Sequence, residues 1–312
     1  MAQIHEPHHV SEGTGGRHML GPHIVGQRVV VRRVVRGETG PSGGAALTDL
    51  LGVCTAWGDD ACVVQPETGA PVRIPLADIV SGKPVPPRPS VRQRVPPADA
   101  QRRGFALFAD LETRSLGGWV LRRSPTAAAR RANSVLAFGP AGVSDAYDEV
   151  VAFYDAHGAR PIAAVLPGSE EEALFRDHGW GLESHDADTV FQLAAVSQAS
   201  RSLRGVGSDA VEVALDIAGH QATARLMLDG EQVGGGVAAY ADDWVGFRSL
   251  EVAPAHRRRG LALVVMAELL DWGAERGATT AYLQVLGDNE PALALYARLG
   301  FREHHRYRYL AR

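Results

Sequence analysis

The residues with the clearest chemical content lie between positions 244 and 301. Arg257-Arg258-Arg259-Gly260-Leu261-Ala262 leads into a segment with apolar residues at 261, 264, 265, 269 and 272, the period of a helix packed on one face. Before it, Phe247-Arg-Ser-Leu-Glu-Val252 reads as a strand, stopped by Ala253-Pro254-Ala255. A helix therefore begins directly after a basic, glycine-bearing turn. Its first N–H groups lack intrahelical partners and sit at the positive end of the helix dipole, so they attract phosphate. Gly260 and Ala262 remove side-chain bulk and let the backbone approach it. The turn suits a pyrophosphate. Loops for ATP or NAD do not fit: a Walker loop needs Gly-x4-Gly-Lys-Ser/Thr, and the one lysine is Lys83, while a dinucleotide fingerprint needs three spaced glycines where only Gly260 stands. Taken alone, the segment also reads as a surface arginine cluster at an ordinary helix start.

Downstream, residues 280–285 read as a strand. Asn289 can cap the helix that follows, Pro291 is tolerated in its first turn, and Gly300 suits a left-handed stop. These roles explain Asn, Pro and Gly but do not specify Tyr296. Together, Arg257-x-x-Gly260-x-Ala262 and Asn289-x-x-Ala292-x-x-Leu295-Tyr296-x-x-x-Gly300-Phe301 resemble the GNAT acetyltransferase superfamily. The resemblance is strong over 207–312. It implies an α+β fold with a mixed sheet flanked by helices, acetyl-CoA as co-substrate and no metal. It further implies that the backbone of Leu250, Glu251 and Val252 pairs with the pantetheine arm and that Arg257, Arg258, Arg259, Gly260, Leu261 and Ala262 hold the pyrophosphate. Asn289 then contacts the cofactor, and Tyr296 protonates the departing thiolate. Oriented N–H donors and a nearby hydroxyl suit a reaction that builds an oxyanion and expels a thiolate. Where several relatives carry a glutamate base, this chain has Gln284, which cannot take a proton; Glu251, His256 and a water relay are the candidates.

The chain also repeats itself. His157-Gly158-Ala159 and Ala173-Leu-Phe-Arg-Asp-His-Gly-Trp180 match Arg276-Gly277-Ala278 and Ala294-Leu-Tyr-Ala-Arg-Leu-Gly-Phe301, at an offset of 119 growing to 121. Each copy reads helix, glycine stop, strand, short helix, glycine, aromatic. Phe175 stands where the second copy has Tyr296, and residues 138–143 do not repeat the glycine and arginines of 257–262. The expected arrangement is a tandem whose first copy, 98–200, is retained structurally and silent chemically, followed by a catalytic domain at 201–312. The second copy is short at its front, since 207–240 reads as strands without the helices that shape an acceptor site in the family. The first copy is expected to cover that cleft, with Trp119, Arg122, Arg131, Asn133 and Ser134 lining the acceptor pocket. An arginine pair suits a carboxylate. Trp119-Val-Leu-Arg122 with Arg131-Ala-Asn-Ser-Val135 resembles an N-terminally extended actinobacterial GNAT group that includes N-acetylglutamate synthases and protein-lysine acetyltransferases. The implied acceptor is a primary amine, either a small amino acid such as glutamate or a protein lysine. A non-catalytic acetyl-CoA sensor is the rival reading, against which Tyr296 argues, because a sensor needs no proton donor.

The remaining sequence frames this site. A chain of 312 residues with 45% hydrophobic and 22% charged residues suffices for two or three ordinary cores. Residues 1–22 have no apolar period; His5, His8 and His9 lack Cys or spaced carboxylate partners, so a solvated tail is expected there. Short β-rich runs over 23–83 suggest a small SH3-like barrel, with Cys54 and Cys62 flanking a Gly58-Asp59-Asp60 turn as packing residues. Six prolines within 84–97 mark a linker. Two cysteines make no disulfide framework, no apolar run approaches membrane length, and the expected location is the cytoplasm. A formal charge of −4 argues against a chain-wide nucleic-acid footprint, and Arg28, Arg32, Arg33 and Arg36 read as a solvated strand face before they read as an adaptor. The oligomeric state is open.

Overall fold

The computed structural model describes residues 20–40, 43–85, 90–207 and 211–312, so His5, His8 and His9 lie outside the described residues. It divides into two units, Met1–Pro89 and Ser90–Arg312. In the first, β1 (Arg28–Thr39), β2 (Ala45–Trp57), β3 (Ala61–Pro66), β4 (Val72–Pro75) and β5 (Ile79–Pro84) form one antiparallel sheet in the order β4-β3-β2-β1-β5. Among the described residues no ladder joins β4 to β5. The closed barrel suggested by strand spacing is therefore an open sheet, because spacing specifies strands but not the closing pair. Alternate valines of β1, Val29 and Val31, pack with Ile24, Cys54, Cys62, Val64 and Ile74. Leu20, within the expected tail, belongs to this core. Both thiols are free, and burial pushes them up from their ordinary pKa. On the outer face Arg28, Arg32 and Arg36 pair with Glu67, Asp49 and Asp78, so the basic strand is matched by acids on its neighbours.

The second unit is built on one twelve-stranded sheet. Its first half contains α1 (Pro97–Arg103), β6 (Glu112–Leu116), β7 (Trp119–Arg123), β8 (Val135–Ala137), α2 (Ala146–Ala156), β9 (Ile162–Val165), α3 (Glu170–Asp177), β10 (Gly181–Leu182), β11 (Thr189–Ala195) and α4 (Val196–Ser202). Its second half contains β12 (Glu212–Ala218), β13 (Gln221–Leu228), β14 (Glu231–Ala241), β15 (Trp244–Val252), α5 (Leu261–Glu275), β16 (Thr280–Leu286), α6 (Glu290–Arg298) and β17 (Arg302–Ala311). Helix α5 makes the crossover that the parallel pair β15–β16 requires, and α2 does the same for β8–β9.

The repeat in the sequence is a repeat in space. Gly158 and Gly277 both take positive φ (62° and 89°), and the residue after each donates to a carbonyl one turn back, Ala159 to Tyr154 and Ala278 to Gly273. The next glycine pair does likewise: Trp180 N bonds Phe175 O at 3.1 Å and Phe301 N bonds Tyr296 O at 3.0 Å. The halves are not separate domains, however. Strand β11 of the first half lies between β16 and β17 of the second, while Arg308–Ala311 of β17 pair with β9 of the first. The boundary expected near 200 divides the chain but not the sheet.

Each face of the second half's sheet has its own cover. Helix α5 buries Leu261, Val264, Val265, Leu269 and Leu270 on one. On the other, Ala100, Leu107, Phe108 and Ala132 of the first half pack on Phe191, Leu193, Trp244 and Tyr282. Strands β12 to β14 follow one another with no helix before them, so the segment from 95 to 132 fills the place at the front. Backbone acceptors fix it there: Tyr282 Oη donates to Arg103 O at 2.8 Å and Arg248 Nε to Leu107 O at 2.7 Å.

Candidate acyl-transfer site

Strands β15 and β16 pair only from Trp244–Thr280 to Phe247–Leu283. Beyond that point the two strands continue without pairing, so the sheet splits and the β15 edge from 248 to 252 has no β16 partner beside it. A bulge shapes this edge: against β14 the register jumps from Arg248–Val237 to Glu251–Gly235, leaving one extra residue on β15. Ser249 takes φ 53°, a left-handed conformation uncommon outside glycine and found where surrounding structure imposes it. Leu250, Glu251 and Val252 thus present unpaired backbone at the split, an edge to which an extended chain can add.

The turn after β15 leads straight to the start of α5. Gly260 is the N-cap, at φ 77°, so no side chain caps the helix, and no acidic residue stands in its first turn. A Cβ at Gly260 meets nothing within 4 Å, so the approach to the amides of Leu261 and Ala262 is open. The two usual occupants of a helix N-terminus, a capping oxygen and a carboxylate, are both missing. Arg258 and Arg259 are exposed around it, and Arg257 Nε anchors the turn on Val252 O at 3.0 Å. Arg259 Nη1 lies 3.2 Å from His256 Nδ1. These residues fit a diphosphate.

Helix α6 is held differently. Asn289 Oδ1 accepts from Ala292 N at 3.2 Å, so its oxygen caps the helix and only its amide nitrogen is left for a ligand. Tyr296 is half-buried against the α5 core and stands edge-on to Phe301, and burial raises its pKa. The phenol is therefore held in its protonated, donating form.

On the sheet face opposite α5, beside the split, lies a cavity of about 250 Å³ lined by Arg130, Arg131, Thr189, Gln284, Tyr307 and Tyr309, with Ala129, Val285 and Leu286. Tyr307 donates to Gln284 Oε1 at 2.5 Å, and its oxygen lies 3.2 Å from that of Tyr309. Arg130 is engaged by Glu183 and Asp186 and lies over the Tyr309 ring. Arg131 is not engaged in this way: among the described residues its buried Nη1 has no hydrogen-bond partner. Burial raises the pKa of Tyr309, against which the Arg131 charge acts. Arg131 thus brings to the cavity a guanidinium with no ion pair among the described residues, a charge that favours an anion there.

The five expected acceptor residues separate here. Arg131 lines this cavity. Asn133 and Ser134 shape the loop that carries it: Asn133 bonds Ala127 O, Ala129 O and Ser124 N, and Ser134 Oγ donates to Arg130 O. Arg122 is buried with its guanidinium on Ser134 O and Oγ and over Phe105, and Trp119 sits in the first-half core, bonded to Gly139 O. Glu251 is exposed on β15, and no carboxylate or histidine lines the cavity. Sequence reasoning missed Thr189, Tyr307 and Tyr309. A period of two over His305, Tyr307 and Tyr309 marks one face of a strand, but which strand it faces depends on the exchange of β11 and β17. Behind this face Gln101 Nε2 reaches His305 Nε2, His305 Nδ1 meets His304 Nδ1, and His304 Nε2 meets Val95 O. A donor at one end and an acceptor at the other keep both rings neutral, and burial pushes His305 down to about 3.

Residues 228–310 match the family described as the C-terminal part of the probable histone acetyltransferase Rv0428c. That protein, from Mycobacterium tuberculosis, is 29% identical over 92% of this chain and 95% of its own length. Streptothricin acetyltransferase of Streptomyces lavendulae is 36% identical over 75 residues, 23% of this chain and 40% of that protein. The chain thus spans less than half of the latter. The structure superposes on a GCN5-related N-acetyltransferase from Kribbella flavida with a TM-score of 0.54 at 18% identity, over 71% of this chain and 95% of that one, a likeness of fold.

Proposed function

The chain belongs to the GNAT N-acetyltransferase superfamily, and on that premise we propose that it moves the acetyl group of acetyl-CoA to the primary amine of a small carboxylate-bearing molecule, an amino acid such as glutamate first of all. The thioester supplies the activated acyl group. The chain's own residues do the rest. Leu250, Glu251 and Val252 align the pantetheine arm along the free edge of β15, and the amides after Gly260, with Arg257, Arg258 and Arg259 around them, hold the diphosphate. Asn289 offers its amide nitrogen to the same ligand. Tyr296 gives its proton to the leaving sulfur. Removing one such donor typically costs about 10²-fold in rate. With no base on the cavity wall, the amine's proton leaves through water, and Glu251 at the split is the acidic group that receives it.

The observation that carries the acceptor class is Arg131, which lines a cavity of about 250 Å³ free of carboxylates and has no ion pair among the described residues. A carboxylate there makes a charge-assisted bond in a low-dielectric site. Arg122, Asn133 and Ser134 hold the loop that presents Arg131, and Trp119 supports it from the first-half core. The test is thiol release from acetyl-CoA across free amino acids and lysine peptides. We expect Arg131→Met to raise KM for the preferred amino acid about 10- to 100-fold and leave KM for acetyl-CoA unchanged; an unchanged acceptor KM overturns the assignment. A protein lysine is the second reading, favoured by the likeness to a probable histone acetyltransferase along nearly the whole chain. Turnover on lysine peptides with none on free amino acids would select it.

A further inference from the structure

The first half has a cavity of its own at the place that corresponds to the coenzyme turn. It is larger, about 410 Å³, and opens where the N-termini of α2 and α3 converge. In the second half this position is basic and uncapped. Here Asp145, Asp148, Glu170 and Glu171 line the walls, and no arginine or lysine does.

Helix N-termini attract carboxylates, which explains some acidic residues at these starts. Those needed for that purpose are identifiable. Glu172 caps the turn before α3 by accepting from Gly168 N at 2.7 Å and pairs with Arg176 and Arg308, and Glu149 of α2 pairs with Arg114. Neither lines the cavity. The four that do make no side-chain hydrogen bond or ion pair among the described residues. Glu171 is the telling one: the residue is only 7% exposed, it lines the cavity, and its carboxylate has no hydrogen-bond or ion-pair partner among the described residues. Each helix terminus supplies roughly half a positive charge, so four carboxylates against two termini leave about −3. Such a cavity repels a diphosphate.

The ligand's chemistry follows from how these charges are spread. Among the described residues no three His, Cys, Asp or Glu side chains converge closely enough for a metal ion. The carboxylates are distributed around walls that also carry the stacked rings of Tyr147 and His178, 3.6 Å apart, and the edge of Trp119. Aromatic faces favour organic ammonium groups, and dispersed carboxylates suit a cation with its charges separated along a chain.

We propose that this cavity binds an organic di- or polyamine, making the first half a cation site built on the plan of a coenzyme site. The experiment is calorimetric titration of the full chain with 1,4-diaminobutane, without acetyl-CoA so that no turnover intrudes. One saturable site is expected, weakened about tenfold by Glu171→Gln and similarly by Asp148→Asn. The second substitution is on the exposed surface and keeps the readout if the first unfolds the half. Propylamine, with one charge, should bind more weakly than the diamine. No saturable binding, equal affinity in the parent and both variants, or displacement of the diamine by coenzyme A would overturn the proposal. So would a magnesium titration showing the same site and the same loss in both variants.

Discussion

The two halves of the second unit share a backbone plan and have opposite chemistry at matching places. Helix α5 begins at a bare glycine with arginines before it; α2 begins at Asp145 with Asp148 and Glu149 in its first turn. Phe175, fully buried against Trp119 and Trp180, takes the position that Tyr296 holds half-exposed beside α5. A duplicated frame keeps its glycine stops and helix-closing bonds because these are conditions for folding. It is free to change the residues at the helix start and on the short helix, where only ligand contacts are at stake. Toward the proposed reaction the first half supplies cover and one contact: residues 95–132 cover the face opposite α5, and the loop at 129–131 walls the proposed acceptor cavity and carries Arg131.

This contrast can be tested by converting one half toward the other. Tyr296→Phe gives the second half the first half's residue; kcat should fall about 10²-fold with KM for acetyl-CoA little changed, measured by steady-state thiol release. Full activity at neutral pH would remove Tyr296 as the acid. Phe175→Tyr makes the reverse change and buries a hydroxyl among aromatic rings, costing about 2 kcal/mol of stability, read from denaturant midpoints, without creating a second active site. Ala262→Glu puts a carboxylate in the first turn of α5, as α2 has, and should raise KM for acetyl-CoA several-fold, equivalent to about 1 kcal/mol.

The remaining effects are in pH. Burial holds His305 near 3 in the folded protein, against an ordinary value of 6.5. The folded state therefore favours the neutral ring. That contribution is complete above pH 6.5 and is lost as pH falls toward about 3, where the unfolded chain binds the extra proton. The thermal midpoint should drop over this window, and His305→Phe should flatten the decline. Tyr296 works the other way: its raised pKa keeps the phenol protonated past its ordinary value of 10, so an alkaline loss of kcat due to this group belongs above pH 10.

How much of this was legible depended on distance along the chain. The turn proposed for the phosphates is local: a strand, its stop, three arginines, a glycine and a helix start fall within sixteen residues, 247–262, and the helix begins at Leu261 with Gly260 as its N-cap. The repeat was legible because its glycines and aromatics recur at near-constant offset. The proposed acceptor cavity was only partly so. Arg131 came from a resemblance, while Thr189, Tyr307 and Tyr309 come together with Gln284 only because β11 and β17 change places, and no local period encodes that exchange. The open sheet of the first unit has the same cause, since the runs between residues 28 and 84 announce strands and leave their edges unspecified.

The exchanged strands also constrain how this protein can be made. On the ribosome, β9 emerges with one edge bare and stays so until Arg308–Ala311 have been synthesised, and β16 finds its neighbour in a segment completed long before it. Synthesis order thus leaves the earlier half waiting for the later one, with an unpaired edge exposed to other nascent chains. Cutting the gene between the halves would give two fragments, each lacking a strand of its own sheet, that recover order only by finding each other.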